Sequence, residues 1–411
     1  MYAARQVEGK KEENNVSEKK ETAAVGLSAG SIWQTAVHKY AMFIALIAIA
    51  LFFQWCTDGV LLAPMNISKL IMQNSYILIL AIGMLPCILT GDIDLSVGSV
   101  VAVIGAVAAT MIVSMGMSVP MTIISCIALG LLIGAWQGFW IAFVRVPAFI
   151  VTLAGMLLFR GATMIILDGN TLSPFPDSYQ FVAQRFLADI PVIGAIPMST
   201  MLVGVIIAAI GVYLVANGRR QRVRHGIPAD SMPLFTVKCA AIILVSLISC
   251  YWLDQFKGLP VILILLGFLV ALYSFICNRT VFGRHIYAVG GNERAAQLSG
   301  IKTRWVRFLV FVNMGLMAAI AGLVFSARLN AAAPSAGMMF ELDAIAACYI
   351  GGASASGGVG TIIGAVVGGL VMGVLNNGMS IMGVGIDWQQ AIKGMVLLAA
   401  VAFDIYNQST K

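Results

Sequence analysis

The sequence predicts an all-α protein: a polytopic transmembrane bundle of about 10–12 spans with inverted repeats and re-entrant or broken helices. Of 411 residues, 60% are hydrophobic and only 10% are charged, well under half the roughly 25% charge of soluble domains. The mean hydropathy is +0.94. The 42 glycines and 22 methionines are spread through long apolar runs, which suits helices that approach closely in lipid. These three observations exclude a soluble monomer.

From the N-terminus, residues 1–39 form a tail rich in Lys and Glu with little apolar content, expected to be disordered and cytoplasmic. A membrane region follows over 40–407. Its first apolar run, Tyr40 to Trp55, is followed by Cys56-Thr57-Asp58 with no small-x-small cleavage pattern, so an uncleaved first span is expected. Further runs long enough to cross roughly 30 Å of hydrocarbon lie near 68–90, 95–115, 120–144, 148–167, 198–216, 234–253, 260–277, 304–326, 359–377 and 389–406. The run 341–353 is short. Counted as a crossing, it puts both chain ends on one side; counted as re-entrant, it lowers the span number.

Loop charge chooses the side. With the tail inside, fourteen inward Lys and Arg face five outward ones, leaving aside five in the tail and Arg160 within a span. The positive-inside rule therefore predicts a cytoplasmic N-terminus and, with an even number of spans, a cytoplasmic C-terminus. The net charge of +7 is then loop charge, and nucleic acid is not an expected partner. Asp168 to Pro197 becomes external, and 278–303 a basic cytoplasmic loop. The seven cysteines form no C-x-x-C pair, and the three histidines are scattered without H-E-x-x-H, so neither a disulfide framework nor a metal site is expected.

A weak internal repeat runs through the chain. Asp94-Leu95 opens an apolar stretch ending Ile104-Gly105-Ala106, and Glu341-Leu342 opens another ending Gly351-Gly352-Ala353. The topology starts one copy inside and the other outside, as in transporters with inverted repeats. Asp94 and Glu341 are accordingly expected near different mouths of one route.

Other motifs carry alternatives. The stripes Gly130, Gly134, Gly138 and Gly360, Gly364, Gly368 fit close helix contact, within the chain or at a dimer seam. The segment Thr90 to Gly98 sets Asp92 and Asp94 between apolar runs, where an acid either faces a pathway or caps the next helix. Arg160, mid-span, needs an acid, a helix C-terminus or a wet cavity. In the loop, Asn292 is a candidate N-cap of a short helix closed by Gly300, read either as a connector or as a grip for a cytosolic partner. No G-x-x-x-x-G-K-[ST] occurs, so ATP phosphates are not held by a P-loop here.

The runs Gly91 to Ser99, Val146 to Gly161, Gly283 to Ile301, Phe340 to Gly360 and Leu375 to Met395 resemble the permease subunit of bacterial monosaccharide ABC importers over about residues 40–407. The extra helix pair near 198–253, with Arg219 to Arg224 as a basic loop, resembles the xylose and multiple-monosaccharide branch. The resemblance implies that Gly290, Gly291, Asn292, Glu293, Ala295, Ala296, Ser299 and Gly300 dock into an ATPase. It implies that Asp94, Ser96, Glu341 and Asp343 flank a translocation pathway, to which Arg160 and Ala344 are assigned as well. The implied partners are a second permease copy, an ATPase that holds ATP and Mg, an external sugar-binding protein, a monosaccharide and the bilayer. The chain itself would carry no cofactor and would not be an enzyme. The alternatives are a secondary transporter using Asp92, Asp94 and Arg160 as an ion or proton relay, and a membrane scaffold.

Overall fold

The computed structural model describes residues 29–187, 199–226, 228 and 231–409. Most of the tail and part of the segment 168–197 lie outside the described residues. The chain divides into two units, Met1–Ala45 and Leu46–Lys411. In the first, the described residues 29–45 are helical; the remaining elements belong to the second.

The described elements are helical. In order they are α1 Ala29–Cys56, α2 Pro64–Leu89, α3 Val97–Ala109, α4 Val119–Phe139, α5 Ala148–Leu167, α6 Asp177–Gln184, α7 Ser199–Arg224, α8 Met232–Asp254, α9 Val261–Arg279, α10 Val281–Gly291, α11 Glu293–Leu298, α12 Thr303–Leu329, α13 Phe340–Ile350, α14 Ile362–Ile381 and α15 Ile386–Ser409. π-Helical turns at Thr110–Ser114 and Trp140–Val144 prolong α3 and α4. Proline starts several helices: Pro64, Pro120 and Pro233 stand at first-turn positions of α2, α4 and α8, where the missing N–H costs nothing.

Among the described residues, nine helices are long and apolar enough to cross a membrane. The sequence expectation of about 12 also counted three segments outside those nine. In α1 the apolar stretch Met42–Cys56 is shorter, α13 has 11 residues, and α15 carries Asp387 and Lys393 along its length.

The central helix is α2, buried without interruption from Ile77 to Thr90. A helix apolar all round belongs inside a bundle, and α2 shares one apolar cluster with α3, α12, α13 and α14. The order of elements repeats: α2 to α5 and α12 to α15 each consist of a long helix, a break, a shorter helix and two more helices. Packing is reciprocal, since α12 lies on α3 and α4 while α2 lies on α13 and α14. The two long helices also run in opposite directions. Near its C-terminal end α2 leads to Asp92, 3.3 Å from Arg307 in the second turn of α12. Both properties are those of an inverted repeat.

Glycine makes these contacts possible. A Cβ on Gly134 would lie 2.4 Å from the Phe311 carbonyl oxygen, and one on Gly315 2.2 Å from that of Gly130. The second stripe packs inside the chain as well, Gly364 on Gly351 and Gly368 on the Ala347 carbonyl. Both stripes are therefore intrachain seams.

The short run becomes half of a broken crossing. Asn330 ends α12 in the left-handed region, and Ala332 pairs with Leu172 after α5. The chain then runs without helix to Phe340, and after α13 the Gly358 N–H donates to the Leu89 carbonyl at the end of α2. Residues 330–358 thus connect the α5–α6 end of the bundle to the end carrying α10 and α11. The inserted pair α7 and α8 forms a hairpin around Gly204 and Gly211, which meet Cys250 and Ile242. Arg219 to Arg224, expected as a loop, continue α7 to its last turn.

Candidate functional site

Two places bring the predicted residues together. The first is the end of the bundle bearing α10 and α11. Thr280 caps α10, its hydroxyl oxygen accepting from the Gly283 N–H at 3.1 Å. Asn292 then breaks the helix with extended backbone and caps α11 through its Oδ1, which accepts from the Ala295 N–H at 2.9 Å. Gly300, at φ +84°, ends the turn. The cap and the terminator expected from the sequence are in place.

This helix pair is fixed to the bundle. Gly290 abuts the Leu89 carbonyl and the Gly358 N–H, and the Tyr287 hydroxyl donates to the Gly360 carbonyl at 2.8 Å. Arg307 bridges two acids, its Nε 3.3 Å from Asp92 and its Nη2 3.1 Å from Glu293. Burial raises the Asp92 carboxyl above its ordinary value, while Arg307 opposes that shift. One guanidinium therefore ties the first turn of α11 to the loop between α2 and α3.

The exposed face of α11 is Arg294, Ala295, Gln297 and Leu298, continued by Ser299 and Gly300. Leu298 is 90% exposed. Ala296 corrects the sequence expectation: it is buried in the chain's own core, because α11 spends one side of its short turn packing on the bundle. Leu298 was missed, although its position one turn after Arg294 and Ala295 places it on their side.

The second place is where the two breaks meet. Asp94 is buried, its Oδ1 accepting from the Ser96 N–H at 2.8 Å and from the Ser96 hydroxyl at 2.6 Å. The Gln137 amide donates to the Ser96 hydroxyl oxygen at 2.6 Å, joining α4 to the start of α3. Gly155 of α5 sits against Gln137 and Ser96. Across the crossing, a Cβ on Gly98 would lie 2.2 Å from the Gly337 carbonyl oxygen and 2.3 Å from Glu341. Arg160 Nη1 donates to the carbonyls of Pro334 and Ala336, at 3.2 and 2.5 Å.

These contacts overturn the expectation of separate mouths. Glu341 lies against Gly98, one turn beyond Asp94, because each half-helix starts only after its break has carried the chain into the bundle. Ser96 and Ala344 are wholly buried, so this crossing is packed shut. Asp94 accepts from the N–H and hydroxyl of Ser96, the residue that precedes α3, and not from an N–H of the helix itself, so it braces the break before α3 and does not cap the helix as one of its sequence readings expected. Asp343 lies apart from that network and pairs with Lys393 of α15 at 3.0 Å. Gln137 and Lys393 were not singled out from sequence; a polar side chain in an apolar run was the available signal.

Residues 66–401 match the family described as branched-chain amino acid transport system, permease component, and the chain belongs to that family. It is a membrane-spanning permease component, a transport subunit and not an enzyme. It is similar to the xylose transport system permease protein of Escherichia coli strain K12, at 44% identity over 89% of this chain and 91% of that protein. The corresponding Haemophilus influenzae protein is also 44% identical, over 90% of this chain and 96% of its own length. The ribose import permease protein of Escherichia coli strain K12 is 35% identical over 82% of this chain and 85% of that protein. No solved structure matches the chain.

Proposed function

We propose that the chain is the transmembrane subunit of an ATP-driven, binding-protein-dependent importer that carries monosaccharides into the cytoplasm. The supporting observation is the exposed face of α11, presented on a helix pair anchored to α2, α12 and the loop after α13 by Gly290, Arg307 and Tyr287. An outward-facing Leu298 on so short a helix is suited to a partner's apolar cleft. The partner is an ATPase that holds ATP and Mg, and two permease copies with an external sugar-binding protein complete the assembly. Similarity to the xylose and ribose permeases, each covering most of this chain, favours a monosaccharide over an amino acid. In this reading α10 and α11 are cytoplasmic, as are both chain ends, and the α5–α6 end is external.

The experiment is reconstitution in proteoliposomes with the ATPase and the binding protein. Uptake of a sugar should require ATP and survive collapse of the proton gradient. Uptake driven by the gradient alone would favour the secondary-transporter reading with Asp92, Asp94 and Arg160.

A further inference from the structure

We infer that a cavity between α2, α12 and α14 binds the neutral, hydroxyl-rich solute in transit. This deepens the import reading and rests on it. The cavity has a volume of about 480 Å³ and is lined by Gln73, Tyr76, Arg328, Asn376, Asn377 and Ser380, among others. That size lies within the roughly 300–1,000 Å³ of small-molecule sites. It is set toward the α5–α6 end, since Arg328 is two residues before Asn330, whose side-chain oxygen accepts from Phe175 and Gln180.

Three facts point to a ligand. In a chain only 10% charged, a cluster of carboxamides, a hydroxyl and a guanidinium on three apolar helices is costly unless used. Two atoms of this cluster, Asn376 Oδ1 and Arg328 Nε, are buried without a hydrogen-bond partner. Tyr76 forms an aromatic corner with Phe325 and Phe340, ring centroids 4.9 and 4.3 Å from its own, giving an apolar wall beside the polar one. Carboxamides both donate and accept, as a sugar hydroxyl does, and so complement a polyol better than they complement a cation. The cavity continues toward a neighbouring one of about 520 Å³ that shares Tyr76 and Asn376 and reaches the Asp343–Lys393 pair. The route suggested by these spaces runs beside α13 and avoids the closed crossing at Ser96.

The test uses the complete complex in proteoliposomes, with D-xylose and D-ribose as the solutes. Asn376→Leu removes the unpartnered acceptor, and Ser380→Trp fills the cavity from an exposed position. Both should cut sugar uptake about tenfold or more, the equivalent of one or two lost hydrogen bonds, while ATP hydrolysis and sugar capture by the binding protein stay normal. If Asn376→Leu fails to assemble, Ser380→Trp decides alone. Normal uptake by Ser380→Trp in a complex whose wild type imports the sugar overturns this inference and leaves the import reading standing. A wild-type complex that imports neither sugar overturns both.

Discussion

Gly290 sits so close to Leu89 that a methyl group on its Cα would lie 1.6 Å from the Leu89 carbonyl oxygen. That oxygen also accepts the Gly358 N–H at 2.9 Å, so three chain segments converge on one point. Nothing there is a flexible side-chain end that could swing aside, so α10 would have to lift off the end of α2. We expect Gly290→Ala to leave membrane insertion intact and to abolish transport, with ATP hydrolysis no longer responsive to the loaded binding protein. Normal transport by this variant would show that α10 need not rest on α2.

The exposed face of α11 yields a prediction about assembly. Leu298→Asp and Ala295→Asp each place a charge where an apolar partner surface should close, at a cost of several kcal/mol. Both residues are exposed, so the isolated subunit should keep its melting temperature. Pull-down of the ATPase should fail; full retention by both variants would return this loop to the role of a connector.

Arg307 couples two acids, and a double-mutant cycle measures how strongly. Arg307→Gln leaves Asp92 buried without its partner, which should lower stability by roughly 1–3 kcal/mol, and Glu293→Gln should cost less because Glu293 is the more exposed acid. If the bridge matters, the two effects will not add. Additive losses in thermal unfolding of the detergent-solubilised protein would mean that Arg307 serves Asp92 alone.

The Asp343–Lys393 pair joins α13 to α15 and can be tested by rescue. Lys393→Met strands a buried carboxylate and should destabilise by roughly 3–5 kcal/mol. Adding Asp343→Asn should recover most of that loss. A double variant no better than the single one would show that the lysine has another partner.

The orientation rests on loop charge and can be read chemically. In otherwise cysteine-free protein in intact cells, Asp177→Cys should react with an impermeant maleimide, and Arg222→Cys only after permeabilisation. Equal labelling of both in intact cells would reverse or abolish the assigned sides.

Much of the fold was legible because lipid imposes long apolar runs and because caps are local. The spans from 64 to 167, the Asn292 cap and the Gly300 stop depend on residues a few positions apart. The glycine stripes announced close contact, yet whether they faced each other or another copy depended on Gly315 and Ala347, far away in sequence. The same limit explains the misread acids. Asp94 and Glu341 look like equivalent starts on opposite faces, and only the depth of each break, a tertiary property, brings Gly98 against Glu341. Ala296 was misassigned for a related reason: six helical residues cannot announce which side faces their own protein. The cavity around Asn376 left the faintest trace, because its polar residues are divided among three helices far apart in sequence.

Arg160 carries a wider implication. The stretch between α12 and α13 has no helical partners for its carbonyls, and inside a membrane such groups have no water to turn to. Donating to Pro334 and Ala336, Arg160 acts as a tethered substitute for solvent that travels with α5. Unwound backbone is thereby tolerated at a depth where it would otherwise have to coil. One side chain of α5 thus supplies the condition under which a crossing can be helical at one end only.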